Sequence, residues 1–331
     1  MRFRMLGKSG IQASIIGLGS WTDEAWLGGN SEEQNLSQTI SAALDHGINL
    51  IDTAPLYGLG EVEETIGKAI HGRRDKVVLA DKCGLVWDTE QGRPFFEYQG
   101  KKVHRSLEEH SIRRELEQSL HRLGTDRIDL YQVHVFDPDR IMEEPIQTLL
   151  SLKQEGKIRA IGICNPIPGQ LELWHRDGEL DVVQQSYSLF DRRAELDILP
   201  YCFNHGISVV AWSPLIQGLL SGRIGPNQKF APEAFDGDSA RFNSEKLQEV
   251  AYRLGEFTMI AQRYKIDLAQ LMLAWTVQSA GVTHALVGVL DADKVGDIAR
   301  AGDISLSQDE VGRINAIMES SEEETIEAWS L

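Results

Sequence analysis

Leu36-Ser37-Gln38-Thr39-Ile40-Ser41-Ala42-Ala43-Leu44-Asp45-His46-Gly47-Ile48-Asn49-Leu50-Ile51-Asp52 holds the repeating unit of this chain in one line. Leu36, Ile40, Ala43 and Leu44 stand at i, i+4, i+7 and i+8, on one face of a helix. Gly47 then stops it, because the residue after a helix commonly needs a left-handed backbone. Ile48-Asn49-Leu50-Ile51 follows as an apolar run that predicts a strand, with Asp52 at its downstream end. The same joint recurs twice. Leu149, Leu150 and Leu152 lead through Gly156 into Ile158-Arg159-Ala160-Ile161, and a segment ending near Asn204-His205 leads through Gly206 into Ile207-Ser208-Val209-Val210.

Working outward, Ile112, Leu116, Ser119, Leu120 and Leu123 form another helical stripe, preceded by the capping-box pattern Ser106-x-x-Glu109 and followed by the strand Ile128-Asp129-Leu130-Tyr131. Leu247, Val250, Ala251 and Leu254, then Leu268, Leu271, Met272 and Trp275, predict two late helices. The strands are continuous apolar runs without polar alternation, as expected when helices cover both faces of a parallel sheet. Repeated strand-helix units with no Pro/Ser linker predict the α/β class and one closed (β/α)8 barrel over residues 1–331. An N-terminal hairpin is expected within 1–14, turning at Lys8-Ser9-Gly10, and a tail over 319–331. Two irregular stretches, 84–105 and 213–243, leave strand ends on one face and read as active-face loops.

The formal charge of -17 argues against a nucleic-acid partner, which needs clustered Lys and Arg. The N-terminal Met1-Arg2-Phe3-Arg4-Met5-Leu6-Gly7-Lys8 lacks a secretory apolar stretch, and no run approaches the roughly 18 apolar residues of a membrane span, so a cytoplasmic protein is expected. Cys83, Cys164 and Cys202 are widely spaced and odd in number, which suits neither a disulfide framework nor a metal site. Small buried packing residues are the expected role of Cys83 and Cys164, with a redox-sensitive thiol as the alternative because each neighbours a candidate site residue. The nine histidines show no HExxH or comparable spacing, so no metal is expected.

The informative pattern lies at the strand ends. Asp52, Lys82 after Val77-Val78-Leu79-Ala80, His134 after Leu130-Tyr131-Gln132-Val133, Asn165 after Ile161-Gly162-Ile163, Gln184 after Val182-Val183, and Trp212 after Ile207-Ser208-Val209-Val210 each close a separate apolar run. In a parallel barrel all these ends converge on one face. Tyr57 sits in the turn-rich loop Asp52-Thr53-Ala54-Pro55-Leu56-Tyr57-Gly58, which can bring its hydroxyl back over them. A neighbouring ammonium lowers a phenol's pKa, so Lys82, held charged by Asp52, would prepare Tyr57 as the acid that protonates a developing alkoxide. His134 would orient the carbonyl oxygen. Asn165 and Gln184 match a carboxamide, and Trp212 offers a face for a planar heterocycle, a combination that suggests nicotinamide.

The usual dinucleotide fingerprint is missing. Gly17-Leu18-Gly19-Ser20-Trp21-Thr22 has only the first two glycines of GxGxxG, and there is no P-loop. Ser213, Pro214, Leu215, Gln217 and Gly218, directly after Trp212, are the best candidates to present backbone amides to phosphate.

Four segments together resemble the aldo-keto reductases: Gly47-Ile48-Asn49-Leu50-Ile51-Asp52-Thr53-Ala54-Pro55-Leu56-Tyr57-Gly58 with Glu64 and Gly67, Asp129-Leu130-Tyr131-Gln132-Val133-His134, Gly156-Lys157-Ile158-Arg159-Ala160-Ile161-Gly162, and Trp212-Ser213-Pro214-Leu215. The bacterial members with a long loop after the lysine look most similar. The resemblance implies a (β/α)8 barrel, reversible NAD(P)H-dependent reduction of an aldehyde or ketone, and a tetrad of Asp52, Tyr57, Lys82 and His134. It also implies that Trp212 stacks on nicotinamide, that Asn165 and Gln184 bind its carboxamide, and that Gly19, Ser20 and Trp21 line the reacting end. Asp81 and Cys164 depart from the Thr and Ser common in the family, and a second carboxylate beside Lys82 is expected to alter the tuning of Tyr57. At the adenosine end, within Gly288-Val289-Leu290-Asp291-Ala292-Asp293-Lys294, Leu290 and Asp291 stand where NADP-dependent members often carry Lys or Arg, leaving Lys294 as the basic residue. Family habit implies NADP(H); a carboxylate that repels phosphate and accepts from a ribose hydroxyl leaves NAD(H) equally open.

The leading expectation is therefore a carbonyl oxidoreductase acting on a small aldehyde, sugar or hydroxyketone. Its alternatives are an NAD-dependent aldose dehydrogenase running oxidatively and a non-catalytic cofactor sensor resembling potassium-channel beta subunits. A barrel hydrolase using Asp52 and His134 would leave Tyr57, Lys82, Trp212 and Gln184 without a role. Trp21, Trp87 and the region of Trp329 are expected to shape the substrate pocket, and oligomeric state is not legible.

Overall fold

The computed structural model describes residues 1–21, 33–137, 142–224, 244–289 and 291–319. A two-stranded antiparallel hairpin, β1 (Phe3–Met5) and β2 (Gln12–Ser14), precedes the barrel, with Met5 opposite Gln12 across the expected turn. The barrel strands are β3 (Ile16–Gly19), β4 (Leu50–Asp52), β5 (Val78–Cys83), β9 (Ile128–Val133), β10 (Ile158–Cys164), β11 (Val182–Ser186), β12 (Ser208–Trp212) and β13 (His284–Val287). They pair in parallel in chain order, and β13 closes on β3, giving the expected closed eight-stranded (β/α)8 barrel.

Ten helices lie among the described residues: α1 (Glu33–Asp45), α2 (Glu61–Ile70), α3 (Glu109–Leu123), α4 (Glu143–Gln154), α5 (Pro168–Asp177), α6 (Ile198–His205), α7 (Ser244–Tyr264), α8 (Leu268–Thr276), α9 (Ala292–Ala301) and α10 (Gln308–Glu319). The three helix-to-strand glycines adopt left-handed backbones, with φ of +81° at Gly47, +78° at Gly156 and +70° at Gly206. The joint thus rests on the physics that picked it out. Among the described residues no helix is long and apolar enough to cross a membrane.

Strand alternation divides the core in two. The outward-facing side chains of the strands pack with the helices in one large cluster. Inside the barrel, Leu50, Val78, Ala80, Leu130, Ala160, Val182, Val210 and Leu286 pack with Leu6, Ile11 and Ala13 of the N-terminal hairpin, which plugs the lower end. That apolar layer stops below Asp52, Lys82, Gln132 and Gln184, so the polar residues form a separate layer at the upper mouth.

Two local expectations need correction. The stretch 84–105 is not irregular: β6 (Leu85–Val86), β7 (Arg93–Tyr98) and β8 (Lys101–Arg105) form a three-stranded antiparallel sheet in the order β6-β8-β7. Its outer strand β7 is exposed for most of its length, so it carries no apolar alternation to read. The Ser106-x-x-Glu109 capping box does not form either, because α3 starts two residues later, after Glu108, without a side-chain cap. Ser106 is buried at the exit of β8, its amide donating to the Gly84 carbonyl at 3.2 Å.

Candidate active site

Asp52 is the last residue of β4, and its carboxylate organises the barrel mouth. Oδ1 accepts from Lys82 Nζ at 2.5 Å, while Oδ2 accepts from Gln184 Nε2 at 2.7 Å and Gln132 Nε2 at 3.1 Å. Lys82 is 1% exposed and also donates to the Thr53 carbonyl at 2.8 Å. Burial alone would discharge this amine, but Asp52, then Tyr57 and Cys164, hold its pKa above the ordinary lysine range. The ammonium is therefore permanent at physiological pH.

Tyr57 opens the short kinked turn Tyr57–Gly60, in which Gly58, Leu59 and Gly60 all have positive φ. That reversal carries the phenol back over the strands, to 3.2 Å from Lys82 Nζ. The tuning differs from expectation. Lys82 does pull the phenol's pKa down, but burial outweighs it and the pKa is pushed up to about 12. Tyr57 is a protonated phenol at neutral pH.

His134 follows β9, with its ring centroid 6.0 Å from that of Tyr57. Burial, then Lys82, lowers its pKa well below the ordinary value, so the half-buried imidazole is neutral and able to donate one hydrogen bond. Trp21, 43% exposed, sets its edge against the Tyr57 ring at 4.7 Å, and Tyr98 of β7 lies 6.3 Å from Trp21. Trp87 and Tyr98 both pack on the cluster of Leu56, Leu85 and Val103 beneath this wall.

On the other side of the mouth, Asn165 has a left-handed backbone, φ +46°. Its Oδ1 accepts from Trp212 Nε1 at 2.9 Å and from the Ser186 amide at 3.3 Å. Both bonds end on the oxygen, so Asn165 Nδ2 donates to no acceptor among the described residues, and the indole of Trp212 is fixed by its edge. Gln184 differs from its expected place. It is the third residue of the five in β11, and its nitrogen is engaged by Asp52.

The family model for the aldo/keto reductase family matches residues 15–319. The chain belongs to the aldo/keto reductase family. Across 97% of its length it is 34% identical to aldo-keto reductase YhdN of Bacillus subtilis, covering 94% of that protein. It is 36% identical over 91% of its length to the NADH-specific methylglyoxal reductase of Escherichia coli, again covering 94%. Among solved structures, a glycerol dehydrogenase from Gluconobacter oxydans superposes with a TM-score of 0.85 at 32% identity, over 96% of this chain and 94% of that one. An aldo/keto reductase from Klebsiella pneumoniae in complex with NADP and acetate superposes with a TM-score of 0.71 at 28% identity, over 96% of each chain. This aldo/keto reductase is accordingly an oxidoreductase of a family that uses nicotinamide cofactors.

The strand ends of this aldo/keto reductase fit such a cofactor. Ser20 Oγ and Ser213 Oγ are buried without a partner among the described residues. Ser213, Ile216, Gln217 and Gly218 have positive φ, and among the described residues the amides of Leu215, Gln217 and Gly218 donate to no acceptor, the set of free donors that a phosphate cradle needs. A Cβ at Gly288 would lie 3.5 Å from the Trp21 carbonyl oxygen and 3.9 Å from that of Gly19. Asp291 caps α9, accepting from the Asp293 amide at 3.0 Å, with Lys294 in the same first turn. Leu290, 225–243 and Trp329 lie outside the described residues.

Gln132 is a candidate site residue that the sequence did not single out. It is fully buried, donates to Asp52, and accepts from Gln184 at 3.4 Å. Gly162 makes its room, since a Cβ there would come within 2.8 Å of Gln132 Cγ. Asp81 faces the helices, away from the mouth, and so is not the second site carboxylate expected beside Lys82. Cys83, Cys164 and Cys202 are buried thiols whose pKa values burial pushes up, to about 12 for Cys164 and Cys202. Among the described residues no group of three or more His, Cys, Asp or Glu is placed to hold a metal ion.

Proposed function

We propose that this protein reduces a small aldehyde or ketone to the alcohol, preferring NADH, with Tyr57 as the proton donor. The observation that carries the reading is the contact chain from Asp52 through Lys82 to Tyr57, at 2.5 Å and 3.2 Å. When bound at the strand ends, the reduced dinucleotide supplies a hydride to the carbonyl carbon. Tyr57 passes its phenolic proton to the oxygen that becomes alkoxide, and the ammonium of Lys82 stabilises the phenolate left behind. Asp52 balances that ammonium, and Gln132 and Gln184 hold Asp52. His134, neutral, donates to the carbonyl oxygen and aligns it with the phenol. Asn165 Nδ2 and Gln184 Oε1 would hold the carboxamide, and the indole of Trp212 would support the nicotinamide ring.

Protonation of Tyr57 at neutral pH favours reduction over oxidation, because the acid form is the one ready to act. The wall of Trp21, Tyr98 and Trp87 suits a compact substrate with apolar surface beside its carbonyl. Among the relatives one is a methylglyoxal reductase, in keeping with that size. The preference for NADH is read from α9, whose first turn sets Asp291 and Asp293 against Lys294 alone, a balance that disfavours the 2'-phosphate. Stopped-flow oxidation of NADH with a panel of small aldehydes, 2-oxoaldehydes and hydroxyketones tests the activity: carbonyl-dependent turnover is expected, and tight dinucleotide binding with none would overturn it.

A further inference from the structure

Asp81 precedes Lys82 in β5, so strand alternation turns its carboxyl away from the mouth and toward α2 and α3. There it meets Glu63 of α2. Both side chains are fully buried, and the two carboxyl groups are close neighbours. Glu63 Oε2 accepts from Arg122 Nε of α3 at 2.7 Å, and Asp81 Oδ1 accepts from the Lys82 amide at 2.8 Å. The remaining oxygens, Glu63 Oε1 and Asp81 Oδ2, are buried and have no donor. Two ionised carboxylates cannot satisfy each other, whereas one carboxylic acid donating to one carboxylate can.

The surroundings balance a single charge. Arg122 and Ser119 reach the pair from α3, Tyr131 faces it from β9, and Cys83, two residues along β5 from Asp81, and Glu115 lie near Tyr131. Lys82 belongs to the opposite face of its strand, where Asp52 already neutralises it. Burial, then the nearby Glu63, pushes the pKa of Asp81 well up; burial also raises that of Glu63, although Arg122 opposes it.

We propose that Glu63 and Asp81 share one proton and act as a positioning pair that clamps the turn bearing Tyr57 to the strand bearing Lys82. Glu63 lies in the first turn of α2, which begins directly after the Tyr57–Gly60 turn. Arg122 reinforces the clamp by lying across Gly60, where a Cβ would come within 2.9 Å of its Cδ. At the other end Asp81 holds the backbone of Lys82 itself. The kinetic consequence rests on the reading of Tyr57 and Lys82 as the proton-delivering pair; the shared proton does not.

Two variants of the full chain test this. Asp81→Asn places an amide donor where the proton lies and keeps the bridge, whereas Asp81→Ala removes it. Infrared spectra at pH 7 should contain a protonated-carboxyl stretch, shifted in heavy water, that Asp81→Asn lacks. In Asp81→Ala the amides of residues 57–62 should exchange hydrogen faster than in wild type, and kcat should fall roughly tenfold or more with the NADH dissociation constant within about twofold. Asp81→Asn should restore both properties. Loss of no carboxyl band in Asp81→Asn would overturn the shared proton, and unchanged exchange in Asp81→Ala, or an Asn variant no better than the Ala variant, would overturn the clamp. A wild-type protein without turnover would count against the functional reading alone, since band and exchange are measured without it.

Discussion

Gln184 and Asp52, 132 residues apart in sequence, are joined by a hydrogen bond of 2.7 Å from Nε2 to Oδ2. The carboxylate that fixes Lys82 is thus itself fixed, by Gln184 from one strand and Gln132 from another. A buried charge with fewer donors is costly. Replacing Gln184 by Leu should cost about 1.5–3 kcal/mol of stability, the range for a hydrogen bond to a charged group. Denaturant unfolding measures it; a variant as stable as wild type would mean that Asp52 finds another donor.

Tyr57→Phe removes the transferable proton and little else, since the ring stays packed between Trp21 and His134. The expected result is a fall in kcat of about 10²–10⁴, the usual contribution of a positioned general acid, with the NADH dissociation constant unchanged. Near-normal turnover in the variant would refute the assignment of Tyr57 as the acid.

Asp291 performs a structural task, capping α9, alongside its proposed electrostatic one. Asn also caps helices, so Asp291→Asn separates the two. Its stability should match wild type, while its affinity for NADPH should rise about fivefold or more relative to NADH, as expected from removing one carboxylate near a phosphate. Fluorescence titration with both dinucleotides measures this, and an NADPH constant that does not move would place discrimination elsewhere.

Which features were legible in the sequence follows from what each depends on. The placement of Asp52, His134, Asn165 and Trp212 at the barrel mouth was legible because barrel topology converts position along a strand into position in space. Gln132 was equally accessible in principle, lying two residues before His134 and hence on the same strand face, but it was hidden as one polar residue inside an apolar run. Helix α2 was legible in principle too, with Val62, Ile66, Ala69 and Ile70 at helical spacing. The direction of the Tyr57 shift was not readable at all. It is set by competition between burial and the charge of Lys82, and burial is a property of the assembled mouth. The orientation of Asp81 follows from that of Lys82 by alternation, but its partner Glu63 comes from packing.

Glu115 offers a stability test with a definite sign. It is buried in α3, accepting from the Gly84 amide at 2.9 Å and lying 3.3 Å from the Ser111 hydroxyl. Burial, only partly offset by that amide, Ser111 and Arg114 and augmented by Asp88, raises its pKa from 4.5 to about 8. In the unfolded chain the carboxyl ionises near its ordinary value, whereas in the fold it keeps its proton until about pH 8. Its contribution is therefore fully present below the ordinary value and declines as pH rises toward 8, by up to about 1.4 kcal/mol per pH unit. Glu115→Gln mimics the protonated side chain and cannot ionise, so the variant should gain stability over wild type progressively between pH 5 and pH 8, with the two nearly equal in acid. Gly84 roots the three-stranded sheet that carries Tyr98, so wild type should also lose order there first as pH rises. Denaturant midpoints for both proteins across that range decide the matter, and parallel curves would mean that Glu115 is ionised in the fold at neutral pH.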